Sequence, residues 1–260
     1  MSDAASEAVS GAVPDPQLPL AGRRALVTGA GVRVGRAIAL ALGRAGADVA
    51  VHYRGSQAAA AQTATALVAM GRRAPLVQGD QATDGGPEQI VAHAAAALGG
   101  LDLLVLSAAG FERVASVELG RGQFEAMLSA NLTGPFLLAR AAYPFLKPGG
   151  AIVTVLDLCG TSQVWPHYAH YTAAKAGLAA ITKLLAVEWA PQIRVNGVAP
   201  GFVLPPEGTS EEERARRVKR IPLRREGTAE DVAGAVLYLA SAPYVTGQIL
   251  AVDGGRSAAP

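Results

Sequence analysis

Two kinds of segment alternate along this chain: short runs of aliphatic and β-branched residues with little polar alternation, and longer Ala- and Leu-rich stretches at helical spacing. The run Arg24-Ala-Leu-Val-Thr-Gly predicts a short buried strand that ends in a turn, and 35–46 predicts the helix that follows. Further strands are predicted at 48–53, 74–78, 101–106, 150–156, 193–198 and 248–252, with helices at 57–70, 87–98, 122–146, 168–189 and 229–241. Strands without a polar face need cover on both sides, which a parallel sheet between two helical layers supplies. The pattern therefore predicts a single doubly wound α/β domain over 21–260, with a parallel sheet of about seven strands and helices on both faces.

Two segments break the alternation. Residues 1–20 are rich in Ala, Ser, Pro and acids, lack the basic and apolar regions of a secretory signal, and predict a disordered arm. Residues 202–227 hold Pro205, Pro206 and Gly208, then the run Ser210-Glu-Glu-Glu-Arg-Ala-Arg-Arg-Val-Lys-Arg, which predicts a short amphipathic helix inserted in a loop. That helix reads as a solvated charged face, and a substrate lid is compatible with the same pattern.

Composition narrows the partners. Half of the 260 residues are hydrophobic, so a sizeable core is available. The 23 Lys and Arg against 21 Asp and Glu leave a charge of +2, and no basic run is interleaved with aromatics, which argues against nucleic acid. The lone cysteine, Cys159, excludes an internal disulfide, and no pair of histidines has a carboxylate at metal-site spacing, so no metal is expected. No apolar run reaches the about 18 residues of a membrane span, and a soluble cytoplasmic protein is expected.

The candidate chemistry lies at predicted strand ends. Tyr171 and Lys175 stand four residues apart on a predicted helix, which puts phenol and ammonium on one face, where a cation favours phenolate. Gly29, Gly31 and Gly35 lie where the first strand turns into the first helix, so backbone amides can approach a pyrophosphate. About 20 residues further on, where an acid would select the ribose 2′-hydroxyl, the chain reads His52-Tyr53-Arg54-Gly55-Ser56. Arg54 and Ser56 suit a 2′-phosphate, with Arg33 in reach of the same oxygens, so NADPH is expected over NADH. Asp80 could receive the adenine amino group, and it equally suits a turn.

Together, Thr28-Gly29 with Gly35, Asn131, Tyr171-x-x-x-Lys175, Asn196-x-x-x-Pro200-Gly201 and Val252-Asp-Gly-Gly resemble the short-chain dehydrogenase/reductase family over about residues 21–256. Arg33 in place of the second turn glycine and Asp157 in place of the family's serine look like its pteridine reductase branch. The resemblance implies a Rossmann-type fold with Asp157, Tyr171, Lys175 and Asn131 as catalytic residues. Tyr171 would give the proton, Lys175 would hold the nicotinamide ribose and depress the phenol pKa, and Asn131 would anchor the helix or a water. The cofactor is expected to touch Gly29, Gly31, Arg33, Val34, Gly35, His52, Tyr53, Arg54, Ser56, Asp80, Gln81, Ser107, Ala108, Ala109, Tyr171, Lys175, Pro200, Gly201 and Val203. Arg33, Phe111, Asp157, Tyr171 and Phe202 are expected at the substrate, with Trp165 and Tyr168 as further candidates for stacking it.

Three functions are compatible with this reading. The first is NADPH-dependent reduction of a pterin, dihydropterin or dihydrofolate; the second is reduction of a ketone or 3-oxoacyl thioester; the third is a catalytically silent NADP-binding sensor or scaffold. The family resemblance also implies a homotetramer built on the faces of 122–146 and 168–189.

Overall fold

The computed structural model describes residues 18–205 and 208–259. Most of the expected disordered arm therefore lies outside the described residues. Its last three residues do not conform: Leu20 is buried, and its N–H donates to the Ala45 carbonyl at 2.9 Å.

The strands are β1 (Arg24–Val27), β2 (Asp48–Tyr53), β3 (Leu76–Gln78), β4 (Leu101–Leu106), β5 (Leu146–Val155), β6 (Ile193–Pro200) and β7 (Ile249–Val252). They form one seven-stranded sheet in the order β3-β2-β1-β4-β5-β6-β7, with every neighbouring pair parallel. The helices are α1 (Arg33–Arg44), α2 (Gln57–Ala69), α3 (Gly86–Leu98), α4 (Arg121–Leu128), α5 (Gly134–Ala142), α6 (Ala169–Glu188), α7 (Glu211–Val218) and α8 (Ala229–Ser241).

The period of two along each strand divides the core. Ala25, Val27, Leu103, Val105, Ala151 and Val153 pack with Ile38 and Leu42 of α1, Leu67 of α2 and Val232 and Val236 of α8. Leu26, Leu104 and Ile152 point the other way, onto Ile90 of α3, Leu138 of α5 and Leu185 of α6. Both faces are thus covered, which is why these strands carry apolar residues at successive positions. Fully burying one such Leu or Ile contributes about 1.5–3 kcal/mol.

The largest departure from expectation is the single helix predicted over 122–146. It is α4, a π-helical turn over Ser129–Thr133, α5 and a 3-10 turn over Tyr143–Phe145, after which β5 begins. Pro135 has no N–H for the Asn131 carbonyl, and the Asn131 side chain takes the Gly110 backbone as partner, so the helix widens there. The charged segment does fold into the short helix α7. Ser210 caps it by accepting from the Glu213 N–H at 3.2 Å, with three acids in the first turn and Arg216 and Arg217 in the last, each charge opposing the helix dipole.

Candidate active site

Strand order reverses between β1 and β4, and above that point opens a cleft of about 1720 Å³. A single ligand pocket is typically about 300–1,000 Å³, so this one has room for a dinucleotide and a second molecule.

Its floor is a set of backbone turns held from behind. Thr28 Oγ1 accepts from the N–H of Ser107 (2.9 Å) and of Ala108 (3.0 Å), tying the end of β1 to the end of β4. Gly29 adopts φ +66°, and a side chain there would meet Ala108; a Cβ on Gly35 would run into the Gly29 carbonyl. These two glycines let α1 begin close behind the turn. Val32, at its N-cap, offers no side-chain hydrogen bond, and the first turn has no acid, so the N–H groups of α1 are open to an anion. Gly31 behaves differently from the expectation. It packs against Ala60 of α2 and does not line the cleft, because its face of the turn points down onto that helix.

The second strand end supplies charge. Arg54 is largely exposed and lies 3.7 Å from Asp80, while Ser56 sits at the N-cap of α2 with its hydroxyl not used for capping. Arg54, Ser56 and the acid-free first turn of α2 converge on one place, a donor set that fits a phosphate ester. His52 is buried, however, and braces the floor. Its Nδ1 accepts from Gly29 N–H at 3.1 Å, which leaves Nε2 to donate to the Gly79 carbonyl at 3.2 Å. Burial pulls its pKa down from 6.5 to about 4. Asp80 forms a local turn by accepting from Ala82 N–H at 2.9 Å. Gln81 donates to the carbonyls of Ala108 (3.2 Å) and Ala130 (2.7 Å), so its amide locks the loop after β4. The side chains of His52 and Gln81 brace the walls of the cleft that both residues line.

Beyond β4 the cleft becomes chemical. Asp157, at the end of β5, and Tyr171, in the first turn of α6, meet at 3.0 Å, the phenol donating to Oδ2, while Cys159 N–H donates to Oδ1 at 2.8 Å. Lys175, one turn along α6 and fully buried, donates to the Val155 carbonyl at 2.8 Å, with Nζ 5.8 Å from the Tyr171 ring centre. Burial raises the Asp157 carboxyl, against the Cys159 and Tyr171 hydrogen bonds and the charge of Lys175. Burial likewise lowers Lys175 to about 8, against the attraction of Asp157.

The expectation that Lys175 depresses the phenol pKa is overturned. Tyr171 is held well above 10, first by burial and then by the adjacent Asp157. Asn131 stands behind the cleft, accepting from Gly110 N–H and donating to Gly110 O, both at 3.0 Å, so it fixes the loop after β4.

The substrate side is aromatic. Phe111 stacks on Tyr168 with ring centres 4.8 Å apart and meets the edge of Tyr171 at 4.9 Å, and Trp165 contacts Tyr168. Val114 N–H donates to the His167 carbonyl at 2.9 Å, stitching the loop after β4 to the one before α6. Phe202 lies under the Arg217 guanidinium at 5.1 Å. Arg33, itself at φ +50°, donates to the Leu204 carbonyl and joins the glycine turn to the loop after β6.

Of the predicted site residues, only Gly31 and Asn131 do not line the cleft. Arg113 also lines the cleft without any signal in its aperiodic loop, and the roles of Thr28 and Gln81 escape sequence reasoning because their hydrogen bonds join distant segments. Among the described residues, no group of three His, Cys, Asp or Glu is placed to hold a metal, and no helix is long and apolar enough to cross a membrane.

Comparison with known proteins matches residues 29–257 to the family described as enoyl-(acyl carrier protein) reductase. A 3beta-hydroxysteroid dehydrogenase of Eggerthella lenta is 35% identical over 252 residues, covering 93% of this chain and 96% of that protein. A glucose 1-dehydrogenase of Gluconobacter oxydans is 34% identical over 244 residues, covering 90% and 92%. The crystal structure of a short chain dehydrogenase from Burkholderia cenocepacia in complex with NADP superposes with a TM-score of 0.86 at 33% identity, covering 92% of this chain and 99% of that one.

Proposed function

This chain belongs to the short-chain dehydrogenase/reductase family and is an NAD(P)-dependent oxidoreductase, and we propose that it uses NADPH to reduce a carbonyl carbon. One observation carries the reading: half-buried Asp157, with buried Tyr171 and Lys175, shares a cleft with the phosphate-suited set at Arg54 and Ser56. The dinucleotide when bound supplies a hydride. Tyr171 Oη holds the carbonyl oxygen and gives up its proton as negative charge develops there. Lys175, with its ammonium beside the phenol ring, steadies the phenolate that remains. The open N–H groups of α1 hold pyrophosphate, Arg54 and Ser56 hold the 2′-phosphate, and the wall of Phe111, Tyr168 and Trp165 keeps water from the reacting carbon.

Asp157 favours a second reading. Burial and the carboxyl that accepts from the phenol at 3.0 Å together hold the Tyr171 proton back, so Asp157 hinders a plain ketone reductase. It helps a substrate that offers an N–H or a basic ring nitrogen beside the reacting carbon, as a pterin or dihydrofolate does. The exposed Leu184 and Val187 of α6 and Tyr143 and Phe145 after α5 are apolar faces suited to a homotetramer, and the absence of an apolar spanning helix among the described residues suits a cytoplasmic enzyme.

The deciding experiment follows NADPH and NADH oxidation with a panel of aldehydes and ketones, dihydrobiopterin and dihydrofolate, in the wild type and in Asp157→Ser. The carbonyl reading expects turnover of the panel, rising in Asp157→Ser because the carboxylate that holds the phenol proton is gone. Pterin turnover that collapses in the variant would install the second reading in its place. Absence of turnover throughout would sink both.

A further inference from the structure

Five arginines line the substrate end of the cleft, Arg113, Arg216, Arg217, Arg220 and Arg256, and the acid among them at the mouth is Glu213. They come from segments after β4, β6 and β7, whereas Arg54 follows β2, across the point where strand order reverses. The dinucleotide phosphates, held at the turn after β1 and the end of β2, therefore do not account for this second concentration of positive charge.

The arginines of the same region differ in what they pair with. Arg214 is held by Glu226 and Arg225 by Asp231, both at 2.7–2.8 Å, and these serve the folding of the loop. Among the described residues, Arg113, Arg216, Arg220 and Arg256 make no ion pair, and Arg217 pairs with Glu213 of its own helix at 2.7 Å while lying over the Phe202 ring. Burial raises the pKa of Tyr168, and the charges of Arg113 and Arg217 oppose that rise, while the Tyr168 ring stacks on Phe111 beside the catalytic Tyr171. Arg113, Arg216 and Arg217 also act together on Glu213. Two guanidinium groups, carried by the segments after β4 and β6, thus line the cleft that also holds Phe111, Tyr168 and Tyr171, and like charges gathered in a partly enclosed cleft attract an anion.

We propose that Arg113 and Arg217 bind an anionic group, a carboxylate or a phosphate, carried by the substrate about one ring length beyond the carbon that receives hydride. The proposal rests on the reductase reading and names its substrate class: a carbonyl compound with an acidic tail. Glu213 is then the internal competitor, occupying Arg217 until the substrate anion replaces it, and Arg216 adds attraction without a fixed partner.

The experiment measures kcat/KM at saturating NADPH for para-carboxybenzaldehyde, its methyl ester and para-formylphenyl phosphate. The acid-to-ester ratio is expected to exceed about tenfold, to fall about tenfold in Arg113→Ala and in Arg217→Ala, and to rise in Glu213→Gln, which frees Arg217. It is also expected to shrink as salt is raised. The phosphate arm tells a carboxylate-selective site from a general anion site. Equal rates with acid and ester, or a preference that survives both Ala substitutions, would overturn the anion site and leave the reductase reading standing. If no aldehyde is reduced, the reductase reading fails, and binding of terephthalate against terephthalamide to the NADP-loaded protein decides the anion site alone. Terephthalate binding lost in the Arg113→Ala, Arg217→Ala double variant supports it; equal or absent binding overturns it.

Discussion

The two halves of the cleft are built by different means. On the cofactor half, the end of β2 and the turns after β1, β3 and β4 are bonded to one another through buried groups, Thr28, His52, Gln81 and Asn131, so the backbone itself forms the surface. On the substrate half, loops meet through rings and exposed guanidinium groups, and a few hydrogen bonds hold loop to loop, Val114 to His167, Arg33 to Leu204, Leu223 to Gly254 and Arg256 to Arg220. Buried hydrogen bonds between neutral groups tolerate little movement, because each unpaired group costs about 1–3 kcal/mol. Exposed ion pairs contribute about 0–1 kcal/mol and can be exchanged for contacts with a ligand. A fixed cofactor seat beside an exchangeable substrate wall lets one fold admit different substrates.

The most disruptive way to separate the halves is Tyr171→Phe. It removes the proton donor and one hydrogen bond to Asp157 but nothing on the cofactor side. Turnover is expected to fall by about 10²–10⁴-fold, while the NADPH dissociation constant measured by fluorescence titration stays near the wild-type value. A matching loss of cofactor affinity would show that the two halves are not independent.

Next in size is the acid response of the cofactor floor. Burial depresses His52 from 6.5 to about 4, so its neutral form is favoured by folding. The stability this gives is complete above pH 6.5 and is lost as pH falls through about 4, which amounts to about 3 kcal/mol. Urea unfolding at pH 7 and near pH 4 checks it. In His52→Gln, whose amide can accept from Gly29 and donate to Gly79, the difference between the two pH values should shrink by about that amount. An unchanged difference would place the acid sensitivity elsewhere.

How much of this was legible in the sequence follows the same division. Strands buried on both faces carry unbroken apolar runs, so β1, β2, β4 and β6 and the helices between them could be read directly. The interruption at Asn131 could not, because Ala and Leu recur at helical spacing on both sides of it and the widening depends on Gly110, 21 residues away. Gly29, Gly31 and Gly35 look alike as letters, and only the position of α2 makes Gly31 a packing residue. The candidate residues on strand ends come together along one cleft, since a parallel sheet places such ends side by side. The direction of the Tyr171 shift is not legible in the sequence because the i, i+4 rule sees Lys175 but neither the burial of the phenol nor the contact with Asp157, which arrives from another strand. Arg113 sits in an aperiodic loop, and nothing local marks it as lining the same cleft as the arginines of α7.

A smaller effect tests the chemistry of the seat. Arg54→Ala should raise KM for NADPH about tenfold and leave KM for NADH nearly unmoved, since only the former carries a 2′-phosphate. Equal weakening of both cofactors in steady-state rates would reassign Arg54 to its ion pair with Asp80.

The smallest expected change concerns the residue that belongs to both halves. Arg33 holds φ +50°, a left-handed conformation that costs a side chain about 1–2 kcal/mol and glycine almost nothing, yet its guanidinium reaches the Leu204 carbonyl. Arg33→Gly should therefore act with opposite signs on the two halves. The turn relaxes, and thermal unfolding should shift upward by the few degrees that about 1 kcal/mol gives a domain of this size. The loop after β6 loses its tie, and KM for the carbonyl substrate should rise a few-fold, at about the strength of one exposed hydrogen bond. If stability falls instead, the bond to Leu204 outweighs the backbone strain, and the substrate wall is less exchangeable than its exposed charges imply.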